Sequence, residues 1–264
     1  MRIALSQLFV IAMFSPLIGI AGADRASPGS FGGKQDVLIA AAADLKFAMD
    51  SVVVAFSAAN PDVSIQVVYG SSGNFFQQIG NGAPFDLFFS ADVDYPKQLR
   101  EKGLAASEIQ LYGIGQLVLW SLRFDPAAHQ MNSLLEPSVR KVAIANPGHA
   151  PYGRRAEECL RYYQLYDKIR DKLVFGENIG QTAEYARSGA ADAAIVALSL
   201  ALSPEMQRSG GRYWLIPAAA HQPLEQGFIL LPHGRDSMAA HRFMNFLSTS
   251  EARAILKSFG FSRP

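Results

Sequence analysis

One cysteine, Cys159, stands in 264 residues, so the chain closes no disulfide within itself. Its setting, Ala156-Glu157-Glu158-Cys159-Leu160, reads as helix, where a buried thiol serves packing rather than attack. The 5 histidines, His129, His149, His221, His233 and His241, are scattered and form no cluster with cysteine at metal-ligand spacing. Also missing are a Gly-x-Ser-x-Gly elbow, a glycine-rich phosphate loop ending in Lys-Ser/Thr and a His-Glu-x-x-His helix. Nothing in these motifs argues for catalysis. Charge of one sign is lacking too: 24 basic residues face 23 acidic ones, for a net charge of +1. That balance excludes a nucleic-acid partner held by bulk charge. Internal repeats, acidic tails and glutamine-rich tracts are absent as well.

A long hydrophobic run occurs only at the start. Arg2 precedes an apolar stretch from Leu8 to Ile20, broken by Ser15 and Pro16, and Ala21-Gly22-Ala23 offers small residues at −3 and −1. The run is short for a membrane span and is interrupted by proline, so residues 1–23 read as a cleaved secretory signal. No cysteine follows it to carry a lipid anchor. Residues 24–35, rich in Gly, Ser and Pro, read as a flexible leader. The whole chain is 49% hydrophobic, ample for a packed core.

Beyond the leader, strand and helix patterns alternate. Val37 to Ala42 is an apolar run suited to a buried parallel strand. Asp44 follows as an expected N-cap of a helix through Leu45, Phe47, Ala48, Val52 and Phe56. Strands are expected at Val63–Val68 and Asp86–Ser90, with helices from Phe75 and from Tyr95 to Lys102. Gln116 to Trp120 is a strand, and a second alternating region begins at Val142–Ala145. There the helix is expected from about Arg154 to Tyr163. A short strand at Leu173–Phe175, a helix at Ile179–Ser188 and a strand at Ala193–Ala197 come next. Gly227 to Leu231 is a late strand, and two amphipathic helices, Met238–Leu247 and Glu251–Phe259, close the chain. The alternation predicts α/β architecture with parallel sheets in two lobes. Residues 36–113 form the first lobe, 114–223 the second, and 224–264 return to the first.

Ligands of open α/β sheets lie at the carboxyl ends of the strands. That rule brings four loops to one cleft: Asp44, Ser71-Ser72, Asn146 to Gly153 and Gly176 to Asn178. Tyr69-Gly70-Ser71-Ser72-Gly73-Asn74 lies where a strand ends and a helix opens. The first N–H groups of a helix lack internal partners and carry the positive end of its dipole, which suits an oxyanion.

Several stretches carry a family resemblance: Ala41-Ala42-Ala43-Asp44-Leu45, Gly70-Ser71-Ser72-Gly73, Asn146 to Gly153, Gly176-Glu177-Asn178-Ile179, Phe259-Gly260-Phe261 and above all Gly82 to Asp92. In order from Val37 to Phe261, they resemble the molybdate-binding periplasmic proteins of ABC importers. The resemblance implies a two-lobed, type II periplasmic binding protein fold, α/β, with a ligand cleft between the lobes. It implies a monomer without catalysis or cofactor, which captures molybdate or tungstate and passes it to a membrane permease. Oxyanion contacts then fall at Asp44, Ser72, Tyr152 and Ile179, with Ser71 and Asn74 in support. Molybdenum is met only as the oxyanion. Ser72 supplies hydroxyl and N–H, while Tyr152 and Ile179 contribute backbone N–H.

Two positions depart from the family pattern. Asp44 stands where serine is usual, and Ala197 where some members place a tyrosine; Tyr152, beside the second lobe's helix start, is the candidate to replace that hydroxyl, though the sequence does not place it. A carboxylate facing a dianion is repulsive by several kcal/mol at close range, of order ~4 kcal/mol at an intermediate dielectric. Asp44 is therefore expected to cap its own helix and offer only its N–H. Lys46, Arg154 and Arg155, in first helical turns, are either solvated at the surface, as at least one is expected to be, or together offset its charge. Sulfate or another small oxyanion is the alternative cargo. A secreted hydrolase with Ser72 as nucleophile is the rival of another class, and it lacks a base linked to that serine.

Overall fold

The computed structural model describes residues 35–263, so the expected signal and most of the leader lie outside the described residues. The described strands make two five-stranded sheets. In the first, β1 (Gln35–Ala42) lies between β2 (Val63–Gly70) and β3 (Leu87–Ser90) and pairs in parallel with both. The second half of this sheet depends on β4 (Gln110–Gly115) and on β10 (Leu224–Leu230), which runs antiparallel to both β3 and β4. In the other sheet β6 (Val142–Ala145) pairs in parallel with β7 (Leu173–Gly176) and β8 (Ala193–Ala197). There β5 (Leu117–Ser121) lies antiparallel between β8 and β9 (Arg212–Leu215).

The sheets are thus mixed, which corrects the expectation of purely parallel ones. The reason is the crossing. One chain passage, Gly115-Gln116-Leu117, leaves the first sheet as β4 and enters the second as β5, and the chain returns after β9 to become β10. A strand inserted by a crossing segment arrives without a preceding βα unit and so has no right-handed crossover to hold it parallel.

Each sheet is buried on both faces, and that is why its central strands are continuous apolar runs. Leu87, Phe88 and Phe89 of β3 are all buried, as are Val142 to Ala145 of β6 and Ala193 to Ala197 of β8. The closing helices Met238–Leu247 and Ser250–Ser258 return to the first sheet, where Phe243, Met244 and Leu256 pack with Val37, Ile39 and Phe56. Phe56 and Phe243 meet edge to face at 5.1 Å, a favourable aromatic arrangement. Cys159 is buried in the core of the second lobe, and burial pushes its thiol up to about 12, which leaves it inert.

Candidate functional site

Three helices open onto the gap between the sheets, two started by a side-chain cap and one by a proline. Ser71 is extended and caps the Ser72–Gly80 helix, its hydroxyl accepting from the Asn74 N–H. Asn178 caps the Ile179–Arg187 helix in the same way, accepting from the Gln181 N–H at 3.0 Å. The Pro151–Tyr162 helix starts on proline, which has no N–H, so Tyr152 carries its first donor. It begins about three residues earlier than expected, and this places Tyr152 in a helical turn instead of a loop. The N–H groups of Ser72, Tyr152 and Ile179 have no partner within their helices, and no other backbone contact of the described residues takes them.

These starts surround one small cavity, lined by Ala42, Ala43, Asp44, Gly70, Ser71, Ser72, Ala91, Ala150, Pro151, Tyr152 and Ile179. About 190 Å³ there is free of atoms, part of it open to solvent. Asp44, Ser72, Tyr152, Ile179 and Ser71 therefore converge, while Asn74 stands outside the lining. The Ser72 hydroxyl accepts the Ala91 N–H at 3.0 Å, so its own proton remains free to donate.

Asp44 does not cap its helix. The N-cap of its 3₁₀ turn is Ala42, the α-helix that follows has Leu45 at its cap, and neither start has a side-chain cap bond. The carboxylate turns into the interior, where its Oδ2 accepts from Gln226 Nε2 at 2.8 Å. Gln226 Nε2 also donates to the Tyr152 hydroxyl at 3.0 Å, and Gln226 Oε1 accepts from Tyr112 at 2.6 Å. Asp44 is 1% exposed, and its Oδ1 is buried with no hydrogen-bond partner. Burial raises its pKa to about 6, against the opposing pull of Gln226, Tyr152 and the N–H groups of Asp44 itself and Leu45.

The cations that could offset Asp44 are engaged elsewhere. Lys46 pairs with Asp50 at 3.1 Å, Arg154 with Asp92 at 2.8 Å and Arg155 with Glu158 at 2.6 Å. Asn74 and Ser71 serve the rim. Asn74 donates to Glu177 Oε1 at 2.6 Å, and the Ser71 hydroxyl meets His149 Nδ1 at 2.9 Å. His149 and Glu177 are 3.7 Å apart, beyond a good hydrogen bond, so Ser71, His149 and Glu177 form no catalytic triad. No histidine touches Ser72 among the described contacts, which leaves the hydrolase rival without a base.

Sequence reasoning missed Gln226, Tyr112 and Ala91. Gln226 carried a signal: it is a polar residue beside the apolar run Gly227–Leu231, and it is fully buried. Starting that strand at Gly227 left it out.

Residues 37–262 match the model of a bacterial extracellular solute-binding protein family. The chain belongs to this family. Such solute-binding proteins bind their cargo without transforming it. Among its relatives, the "Molybdate-binding protein ModA" of Rhodobacter capsulatus is 37% identical, over 75% of this chain and 77% of that protein. The protein of the same name from Azotobacter vinelandii is 32% identical, over 86% and 89%. The solved periplasmic molybdate-binding protein of Azotobacter vinelandii superposes with a TM-score of 0.78 at 30% identity, covering 86% of this solute-binding protein and 99% of that chain.

Proposed function

We propose that this protein captures molybdate outside the cytoplasmic membrane and hands it to the permease of an ABC importer. The observation that carries the reading is the convergence of three helix starts, with unpartnered N–H groups, on one small cavity that no cationic side chain of the described residues lines. Neutral dipoles arranged in this way hold a small dianion without an opposing full charge. The relatives named for molybdate support the choice of anion. On this reading Ser72 gives its hydroxyl and N–H, Tyr152 and Ile179 give N–H groups, and Asp44 forms the remaining wall. Ser71 and Asn74 hold the rim. The contacts go to ligand oxygens, and molybdenum itself meets no side chain. Tungstate, of nearly equal size and shape, binds alike. The protein acts as a monomer whose residues 1–23 direct export to the periplasm. Its lobes are 36–113 with 224–264, and 114–223.

Thermal unfolding with added anions tests this. Binding to the native state alone stabilises by about 2.7 kcal/mol when the anion stands at about 100 times its Kd. Molybdate and tungstate should raise Tm by similar amounts and sulfate and phosphate much less. A sulfate shift equal to that of molybdate rejects molybdate as the cargo.

A further inference from the structure

Asp44 presents a physical contradiction that the proposed cargo sharpens. An anion cavity is the costliest place for a buried carboxylate, because a second negative charge enters and no cation accompanies it. The ionisable groups around it bring no positive charge to balance it. The phenols of Tyr112 and Tyr152 are both held well above their ordinary range, first by burial and then by Asp44 itself. Lys46 is drawn to Asp50, Arg154 to Asp92 and Arg155 to Glu158, while His149 faces Ser71 and Glu177. On the neighbouring helix Glu184 and Arg187 pair with each other at 2.8 Å. From the short helix after β8, Leu198–Ala201, the Ser199 hydroxyl donates to the Asp44 carbonyl, at 2.7 Å.

The carboxyl is nonetheless held in a defined pose. Oδ2 takes the Gln226 amide, Gln226 is itself oriented by Tyr112, and Gly115 leaves room for both partners. A Cβ on Gly115 would lie 2.3 Å from the Tyr152 hydroxyl and 2.5 Å from Gln226 Nε2. One oxygen is thus fixed as an acceptor, while Oδ1, on a residue lining the cavity, is buried without a partner. A neutral carboxylic acid fits that division of labour: one oxygen accepts and the other bears a proton to give away. It also replaces a like-charge clash by a fifth donor, beside the Ser72 hydroxyl and the three backbone N–H groups.

We propose that Asp44 meets the bound oxyanion as a carboxylic acid, its Oδ1–H donating to a ligand oxygen, so that each dianion captured brings one proton with it. No covalent bond changes. The proton comes from solvent, stays on Asp44 while the lobes are closed, and leaves with the anion. The raised pKa of the ligand-free site, about 6, places much of the uptake at neutral pH, because an incoming dianion holds the proton more tightly still. Asp44 is then the residue by which this chain departs from a simple set of dipoles, and it makes capture stronger in acidic surroundings.

The inference rests on the oxyanion reading, and one experiment separates the two. Calorimetric titration with sodium molybdate, in pairs of buffers differing in ionisation enthalpy, reads protons taken up per anion between about pH 6.5 and 8.5. The wild type should take up close to one proton at the upper end, with affinity falling toward tenfold for each pH step of one, the limit for one linked proton. Asp44→Asn, a neutral isostere with a donor, should take up none, lose the pH slope and bind more tightly than wild type at the upper end. Asp44→Ser, smaller and also neutral, should lose the slope as well, which keeps the test alive if the asparagine variant folds poorly. Wild-type binding without proton uptake overturns the proposal and leaves the oxyanion reading standing. So does uptake that persists undiminished in both variants. No heat with molybdate or tungstate at any pH overturns the oxyanion reading, and the proposal with it.

Discussion

Ser72 and Asp44 show how much of this site depends on single protons. The Ser72 oxygen is occupied by the Ala91 N–H, so its hydroxyl proton has one direction left. Ser72→Ala removes that proton and keeps the backbone N–H, so the loss should be partial. A hydrogen bond to a charged group is worth about 1.5–3 kcal/mol, or roughly ten- to a hundredfold in affinity. Calorimetry on the alanine variant checks it, and undiminished molybdate binding removes the Ser72 hydroxyl from the site. Asp44 carries a stability consequence as well. Its pKa is higher folded, about 6, than the ordinary 3.8, so the native state binds more protons between those values. Stability from this group is therefore full below the lower value and lost as pH rises through about 6. The rise of about 2 pKa units corresponds to roughly 3 kcal/mol for a fully buried group. Asp44→Asn should raise ligand-free stability at pH 7.5 by up to that amount, with the gain shrinking toward pH 4. Denaturant midpoints at the two pH values decide it, and a variant no more stable than wild type at pH 7.5 contradicts the burial argument.

The helices and strands were legible in proportion to how their packing writes on the sequence. Strands buried on both faces, such as Leu87–Ser90 and Ala193–Ala197, are unbroken apolar runs and were read directly. Edge strands β4 and β9 were not, because one side faces solvent: Leu111, Tyr213 and Leu215 are exposed, and glycines interrupt β4. The loops at Asp44, Ser71-Ser72, Asn146–Gly153 and Gly176–Asn178 were read as one cleft because strand ends and helix caps are local signals. The fate of the Asp44 side chain was not legible. Its partner Gln226 is 182 residues away, and a capping aspartate and a buried one look alike in sequence. The Ser72–Gly80 helix carries a constraint of the same long-range kind. A Cβ on Gly73 would lie 2.5 Å from the His149 carbonyl, across the cleft, and 2.8 Å from the Tyr95 hydroxyl, the movable end of a side chain of its own lobe. Gly73→Ala should therefore act in two directions. Alanine favours a helix interior by up to about 1 kcal/mol, so ligand-free Tm should hold or rise. Closure is obstructed, so molybdate affinity should fall tenfold or more. A parallel loss of both would mean that the glycine serves the fold and not the approach of the lobes.

At the scale of the whole molecule, the proposed function makes binding and closure one equilibrium, because the lobes touch each other through contacts that need them together. Gly73 N–H donates to the His149 carbonyl at 2.9 Å, Asn74 reaches Glu177, and Arg154 spans from the second lobe to Asp92 at 2.8 Å and the Tyr95 hydroxyl at 3.0 Å. An anion in the cavity favours the closed form by its differential affinity, and these rim bonds set how far the equilibrium leans before it arrives. The Arg154 side chain is 35% exposed and Asp92 11%, so solvent weakens the pair, and about 1 kcal/mol is a fair expectation for it. Arg154→Met keeps the helix and the apolar stem and deletes the guanidinium. Molybdate affinity should then fall about fivefold, since 1.4 kcal/mol is tenfold. The change should lie mostly in the dissociation rate, because contacts made after encounter govern escape. Added salt should narrow the gap between variant and wild type, since it screens the ion pair that only the wild type has. Stopped-flow release of molybdate at low and high ionic strength checks both parts. Equal release rates would mean that the Arg154 bridge closes no distance the ligand does not already close by itself.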